Sequence, residues 1–276
     1  MGAAIHESGF EQLDLFSGAG ISPSPETDED SIDWAPLDPS RLSDAELIAV
    51  LPRARQNEAP GLAQEAVRRG LADAVPALEA LCRRFSGFGL DREVTEQVAA
   101  LSGLTSLGGA AAKQAVTRLI VSGAVEGPGV RLALEAAAEL RCGLPPHRVG
   151  AFLRDDDPAV RETACRCARG GAEAIAALTD LLSDLHVSVV NAAALALGRL
   201  GRPEAGFVLT RMLGTAPTED VVRALAVIAK EDDWVRLGQT AMRFPELVSV
   251  VLEVLEETEE PRAAAVARGV RRRLEM

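Results

Sequence analysis

The chain repeats itself about every 30 residues, and that periodicity limits what it can fold into more than any other feature. The segment LRDDDPAVRETACRCA, starting at Leu153, aligns with LSDLHVSVVNAAALAL, starting at Leu182, at an offset of 29. Asp155 then meets Asp184, Val160 meets Val189 and Ala164 meets Ala193. Thirty residues earlier Val130-Arg131 occupies the same place, and Val222-Arg223 takes it downstream. Each unit reads as a helix, a short Gly/Pro/Asp turn and a second helix. One such hairpin cannot bury both apolar faces, but hairpins stacked side by side share a continuous core. The clear pairs are 158–169 with 171–182, 187–200 with 202–213, and 218–229 with 232–242. Weaker pairs are 62–69 with 73–84, 91–102 with 109–121, 128–141 with 146–153, and 245–256 with 261–274.

Local chemistry supports these boundaries. Ser43 and Glu46 have capping-box spacing, which starts order at LSDAELIAVL. Asp157-Pro158 caps and opens a helix, because proline is tolerated in a first turn. Ala192, Ala193, Ala194 and Ala196 let neighbouring helices approach closely, and Val189, Ala193 and Leu197 should share the buried face. Gly198 and Gly201 are expected to end that helix and turn the chain. Aromatic residues make up only 3% of the 276 positions and tyrosine is absent, a composition that disfavours β-sandwiches. The expected fold is therefore an all-α superhelix over residues 42–276, preceded by a flexible acidic leader over residues 1–41.

In particular, DDPAVRETA and ALALGRLG resemble the signatures of HEAT repeats, especially bacterial HEAT-like arrays. The resemblance extends over about residues 60 to 274. It implies a solenoid of HEAT-like helical repeats that binds a protein partner on its concave face. It also implies that Arg131, Arg161 and Arg223 tie adjacent repeats together. Val190 stands where one more such arginine would be.

The net charge of −12 is unevenly distributed: residues 1–46 hold eleven acids and one base, and the other 230 residues hold 30 and 28. A nearly neutral body offers little counterion release, so tight direct binding of nucleic acid is not expected. Cys82, Cys142, Cys165 and Cys167 contain no C-x-x-C, and the three histidines are scattered, so they read as buried structural thiols and no metal site is expected. MGAAIHESGF lacks a cationic start and an apolar run, and no stretch is long enough to span a bilayer. The reading is of a cytoplasmic protein that does not bind membranes.

The leader contains FEQLDLFSGAGISPSP, residues 10–25, which invites two interpretations. DLFSGAG resembles the cofactor loop of cytosine-5 DNA methyltransferases, but that loop needs a buried strand before it and a helix after it. HESGFEQ precedes it and a Pro-rich acidic stretch follows, Ile21 replaces the second glycine, and no Pro-Cys dipeptide occurs. That reading fails. Gln12, Leu13, Asp14, Leu15 and Phe16 match residue for residue the peptide by which bacterial replication and repair proteins bind the polymerase sliding clamp. Leu15 and Phe16 would be its anchors, Leu13 would add contact area, and the Gln12 amide can donate and accept.

KEDDWVR, Lys230 to Arg236, places two carboxylates beside Trp234 and resembles the carboxylate-and-aromatic sites of HEAT-like alkylpurine DNA glycosylases. Asp232-Asp233 also reads as an ordinary N-cap. The function expected is a non-catalytic adaptor without cofactor, tethered to the sliding clamp. The alternatives are a glycosylase and a protein-binding scaffold unrelated to DNA. An exposed Trp234 beside an arginine stripe would favour the enzyme.

Overall fold

The computed structural model describes residues 37–275, and among them every regular element is helical. The α-helices are α1 (Asp44–Val50), α2 (Ala59–Arg68), α3 (Val75–Arg84), α4 (Thr95–Leu107), α5 (Gly109–Val121), α6 (Gly129–Glu139), α7 (Pro146–Phe152), α8 (Pro158–Cys167), α9 (Ala172–Asp180), α10 (Val187–Arg199), α11 (Gly206–Thr215), α12 (Glu219–Ile228), α13 (Glu231–Arg243), α14 (Val248–Glu257) and α15 (Pro261–Leu274). All seven expected pairs are present, with α1 preceding them.

The pairs stack in two rows. The first helices, α2, α4, α6, α8, α10, α12 and α14, each pack on the next. The second helices pack against neighbours of their own row, as α3 does on α5, α7 on α9, and α11 on α13, which in turn meets α15. They also wedge against the following first-row helix, α3 on α4 and α13 on α14 among them. This architecture is an α-solenoid.

Small residues set the spacing. Ala100, Ala137, Ala164, Ala193 and Ala224 are fully buried along the first row, where a larger side chain would force the helices apart. Leucines such as Leu78, Leu119, Leu178, Leu197 and Leu209 fill the space between rows. Val189, Ala193 and Leu197 are all fully buried, as their spacing predicts.

The helix ends show how local sequence sets the turns. Ser43 and Glu46 form a complete capping box on α1, and the Asp157 carboxylate accepts from the Ala159 amide at 2.8 Å to start α8. At the end of α10 the Gly201 amide donates to the Gly198 carbonyl and the Arg202 amide to the Leu197 carbonyl. Gly201 takes φ +70°, the left-handed conformation this double closure requires. Gly198 plays another role than the one expected. It lies inside α10, and a Cβ there would come within 3.0 Å of both the Ala224 Cβ and the Ala224 carbonyl. It allows α12 to approach α10 and does not end the helix.

Candidate functional site

The repeated arginines do what the resemblance to HEAT repeats implies. Arg161 on α8 grips Asp184, in the turn before α10, with Nε 2.9 Å and Nη2 3.2 Å from the two carboxylate oxygens. Its Nη1 also donates to the Asp155 and Asp156 carbonyls, closing the turn that starts its own helix. Arg131 reaches Glu93 of the preceding repeat at 3.7 Å, and Arg223 binds Glu253 of the next at 2.8 Å. All three bridge consecutive repeats, so none is available as a free ligand-binding cation.

Their burial separates their energetic weight. The Arg161 and Asp184 side chains are 14% and 8% exposed, whereas Arg223 and Glu253 are each 45% exposed. Removing one member of a buried pair strands the other charge at about 3 kcal/mol or more, while an exposed pair contributes about 1 kcal/mol or less. Arg161→Ala is therefore expected to lower unfolding free energy by about 3 kcal/mol, and Arg223→Ala by far less, because solvent screens its pair. Urea titrations of the two variants check this, and equal losses would show that the buried bridge carries no special weight.

A second polar cluster was not foreseen from the sequence. Arg69, the C-cap of α2, donates to Glu65, Asp44 and the carbonyls of Leu42, Pro39 and Ser40, fastening the segment before α1 to the first repeat. Glu65 apart, its partners lie 25 to 30 residues away, and no local motif announces them. Hydrogen bonds from Arg68 and Arg69 hold the Glu65 carboxyl down to about 2, against an ordinary 4.5. A depressed carboxyl contributes stability that is complete above its unfolded pKa and lost as pH falls through the folded one. Thermal stability should therefore decline between about pH 4.5 and 2, and Glu65→Gln should flatten that decline. A melting temperature whose pH profile is the same in the variant would contradict this. Glu79, held low by Arg118 and then Arg83, contributes with the same sign.

The KEDDWVR segment is structural. Trp234 is only 5% exposed, within the core at the start of α13, so its ring offers little surface for a base to stack on. Asp232 and Asp233 are not the N-cap, which is Lys230. The Asp233 carboxylate reaches back to the Lys230 amide at 3.0 Å and pairs with Arg236 at 2.8 Å. Glu231 is bound to Arg262 at 2.9 Å. The carboxylates beside Trp234 thus serve as helix-start partners and inter-helix ties.

All four cysteines are free and buried. Burial pushes the thiols of Cys82, Cys165 and Cys167 up to about 12 and raises Cys142 as well, which keeps them protonated and weakly nucleophilic. No group of three or more His, Cys, Asp or Glu side chains among the described residues is placed to hold a metal ion. Gln12, Leu13, Asp14, Leu15 and Phe16 lie outside the described residues.

The surface does offer grooves between successive helices of one row. Between α2 and α4 a cleft of about 480 Å³ is lined by Ala63, Val67, Val98 and Ala99, with Ser102 and Gly103. Between α13 and α15 a cleft of about 490 Å³ is lined by Val235, Met242, Val266 and Val270, with Arg272 and Arg273 at its rim. Both have the apolar floor and sparse polar lining that suit side-chain insertion.

Residues 146–230, spanning α7 to α12, match the family described as HEAT repeats, and that segment contains two of the three clear helix pairs in full. A similar solved structure is the crystal structure of an engineered protein from the Northeast Structural Genomics Consortium. It is 18% identical, covers 82% of this chain and 94% of its own, and superimposes with a TM-score of 0.31. No curated protein matches. Among the described residues no helix is long and apolar enough to cross a membrane.

Proposed function

We propose that the protein is a non-catalytic interaction scaffold. Its solenoid holds a protein partner on the concave face while Gln12-Leu13-Asp14-Leu15-Phe16 tethers it to the DNA polymerase sliding clamp in replication or repair. One observation carries the scaffold reading: the repeat-defining polar side chains are spent inside the fold, while apolar grooves stay open between helices. Arg161 and Asp184 bridge repeats, and the carboxylates beside Trp234 fasten helix starts. The buried Trp234 removes the feature that would have favoured a glycosylase.

The tether rests on the residue-for-residue match of QLDLF and on its position in an acidic leader. A tether of about thirty residues would span roughly 30 Å by random-coil scaling, enough to raise the partner's effective concentration near the clamp. Two or three apolar anchors, each contributing roughly 1.5–3 kcal/mol before ordering costs, correspond to micromolar affinity. A labelled peptide covering residues 8–20 should bind a bacterial sliding clamp in that range by fluorescence anisotropy. Leu15→Ala with Phe16→Ala should abolish binding and Asp14→Ser should be tolerated. Equal binding by the double-alanine peptide would remove the clamp assignment. The near-neutral solenoid, for its part, should bind duplex DNA weakly, without a steep salt dependence.

A further inference from the structure

We propose that the groove between α13 and α15 is a docking site for an acidic peptide carrying one or two bulky apolar side chains. The proposal rests on the scaffold reading and deepens it by naming a site and the chemistry of its partner. Val235 and Met242 from α13 and Val266 and Val270 from α15 supply the floor. Two glycines shape the groove in opposite ways. A Cβ on Gly238 would collide with Val266, so glycine there lets the two helices touch. A Cβ on Gly269 would meet nothing within 4 Å, so the groove stands open above that position.

The rim sets the sign of the partner. α15 carries five arginines and no acid, in a chain whose net charge is −12. Their neighbours distinguish them. Arg262 is neutralised by Glu231 at 2.9 Å and Arg271 by Glu256 at 2.6 Å, and on α13 Arg236 is matched by Asp233 at 2.8 Å. Arg272 and Arg273, the two that line the groove, have no carboxylate partner among the described residues. Arg243 lies over the Phe244 ring at 5.2 Å and lines the adjacent groove between α11 and α13, so the cationic surface extends beyond the first cleft. Arginines at a helix C-terminus complement the helix dipole anywhere around the last turn. That does not account for the coincidence of unpaired guanidinium groups with an apolar cleft. Guanidinium groups recognise carboxylates in a two-point, planar geometry. The apolar floor points to a peptide, because phosphate contacts alone need no such floor.

The test uses the full chain and random dodecapeptides displayed on phage. Enriched sequences should be net acidic and contain Leu, Ile, Met or Phe. A fluorescein-labelled enriched peptide should bind the intact chain, and Gly269→Leu should weaken it at least tenfold by filling the groove. Gly269→Leu should leave the melting temperature unchanged or raised, since the site is open and helical. Arg272→Glu with Arg273→Glu should weaken binding as much, whereas Arg268→Glu, on the same helix but not lining the groove, should have little effect. Equal losses in Arg268→Glu would indicate a diffuse field and overturn the site. Peptides that bind Gly269→Leu as well as the intact chain would place docking elsewhere, overturning this site and leaving the scaffold reading intact. Enrichment of basic or uncharged peptides would overturn the stated chemistry. Submicromolar binding of a 20-base-pair duplex that is lost in the double-glutamate variant would assign the arginines to phosphate and overturn it too. Failure to enrich any peptide would overturn this site, while the scaffold reading, which asks only for a protein partner, would stand.

Discussion

Ala193→Glu is expected to unfold the centre of the solenoid. Ala193 is fully buried on α10, which packs on α8 on one side and α12 on the other. The site was shaped around a methyl group, so a glutamate must either push two neighbouring helices apart or bury its carboxylate among alanines and leucines. Overpacking costs about 1–3 kcal/mol. Burying a carboxyl without a partner costs a further several kcal/mol even after its pKa rises to keep it neutral. The sum approaches the whole stability of an ordinary domain, about 5–15 kcal/mol. Because each repeat is supported only by its neighbours, the loss should be local, and urea unfolding followed by circular dichroism should separate into two steps. Ser188→Glu is the control: that position is exposed, in the first turn of the same helix, where a carboxylate also complements the dipole. Its effect should stay within about 0.5 kcal/mol. Unchanged stability in Ala193→Glu would mean that α10 presents a different face to the core.

How much of this was legible beforehand can be read from particular residues. The pairs around Asp157-Pro158 and Gly201 were readable because capping, proline geometry and left-handed closure act within a few residues of the chain. Register was readable because Val189, Ala193 and Leu197 repeat at helical spacing. The expected starts at 202 and 245 were less accurate: Pro203–Ala205 and Pro245–Leu247 wind as 3-10 turns before α11 and α14 begin. Proline signals a helical start equally in both geometries. Residues 91–94, expected in a helix, instead complete a loop before α4, in which Gly89 and Leu90 lie against Glu126 and Gly127 of the α5–α6 turn. Contacts of that kind, like the carbonyls gathered by Arg69, join segments far apart in sequence, and no local pattern encodes them. The same reason hid the α13–α15 groove. Its floor residues look like ordinary core positions until the stack decides which helices become neighbours. Trp234 shows the converse case, a residue whose local chemistry suggested a site and whose place in the stack buried it.

Gly127→Ala should be far more damaging than Gly123→Ala, although both glycines lie in the turn between α5 and α6 with positive φ, +54° and +68°. An alanine forced into the left-handed region costs roughly 1–2 kcal/mol, and this part is common to both. Gly123 has nothing within 4 Å of where a Cβ would lie, so its variant should lose no more than that. At Gly127 the Cβ would collide with the Gly89 carbonyl oxygen and lie 2.5 Å from that of Leu90. These are backbone atoms of the loop before α4, and they can yield only if the loop moves. That loop is also tied down nearby. The buried Gln97 amide donates to the carbonyls of Cys82, Phe85 and Ala124, linking the end of α3 to the α5–α6 turn. Displacing the loop puts those hydrogen bonds at risk, at about 1–3 kcal/mol for each buried group left unsatisfied. The total for Gly127→Ala is about 4 kcal/mol or more, against about 1 kcal/mol for Gly123→Ala. Hydrogen exchange should quicken in residues 85–94 and 122–128 of the Gly127 variant while α10 to α14 keep their protection, since coupling in a stack passes only between neighbours. Equal losses for the two glycines would mean that the loop gives way freely, and that Gln97 does not hold the early repeats together.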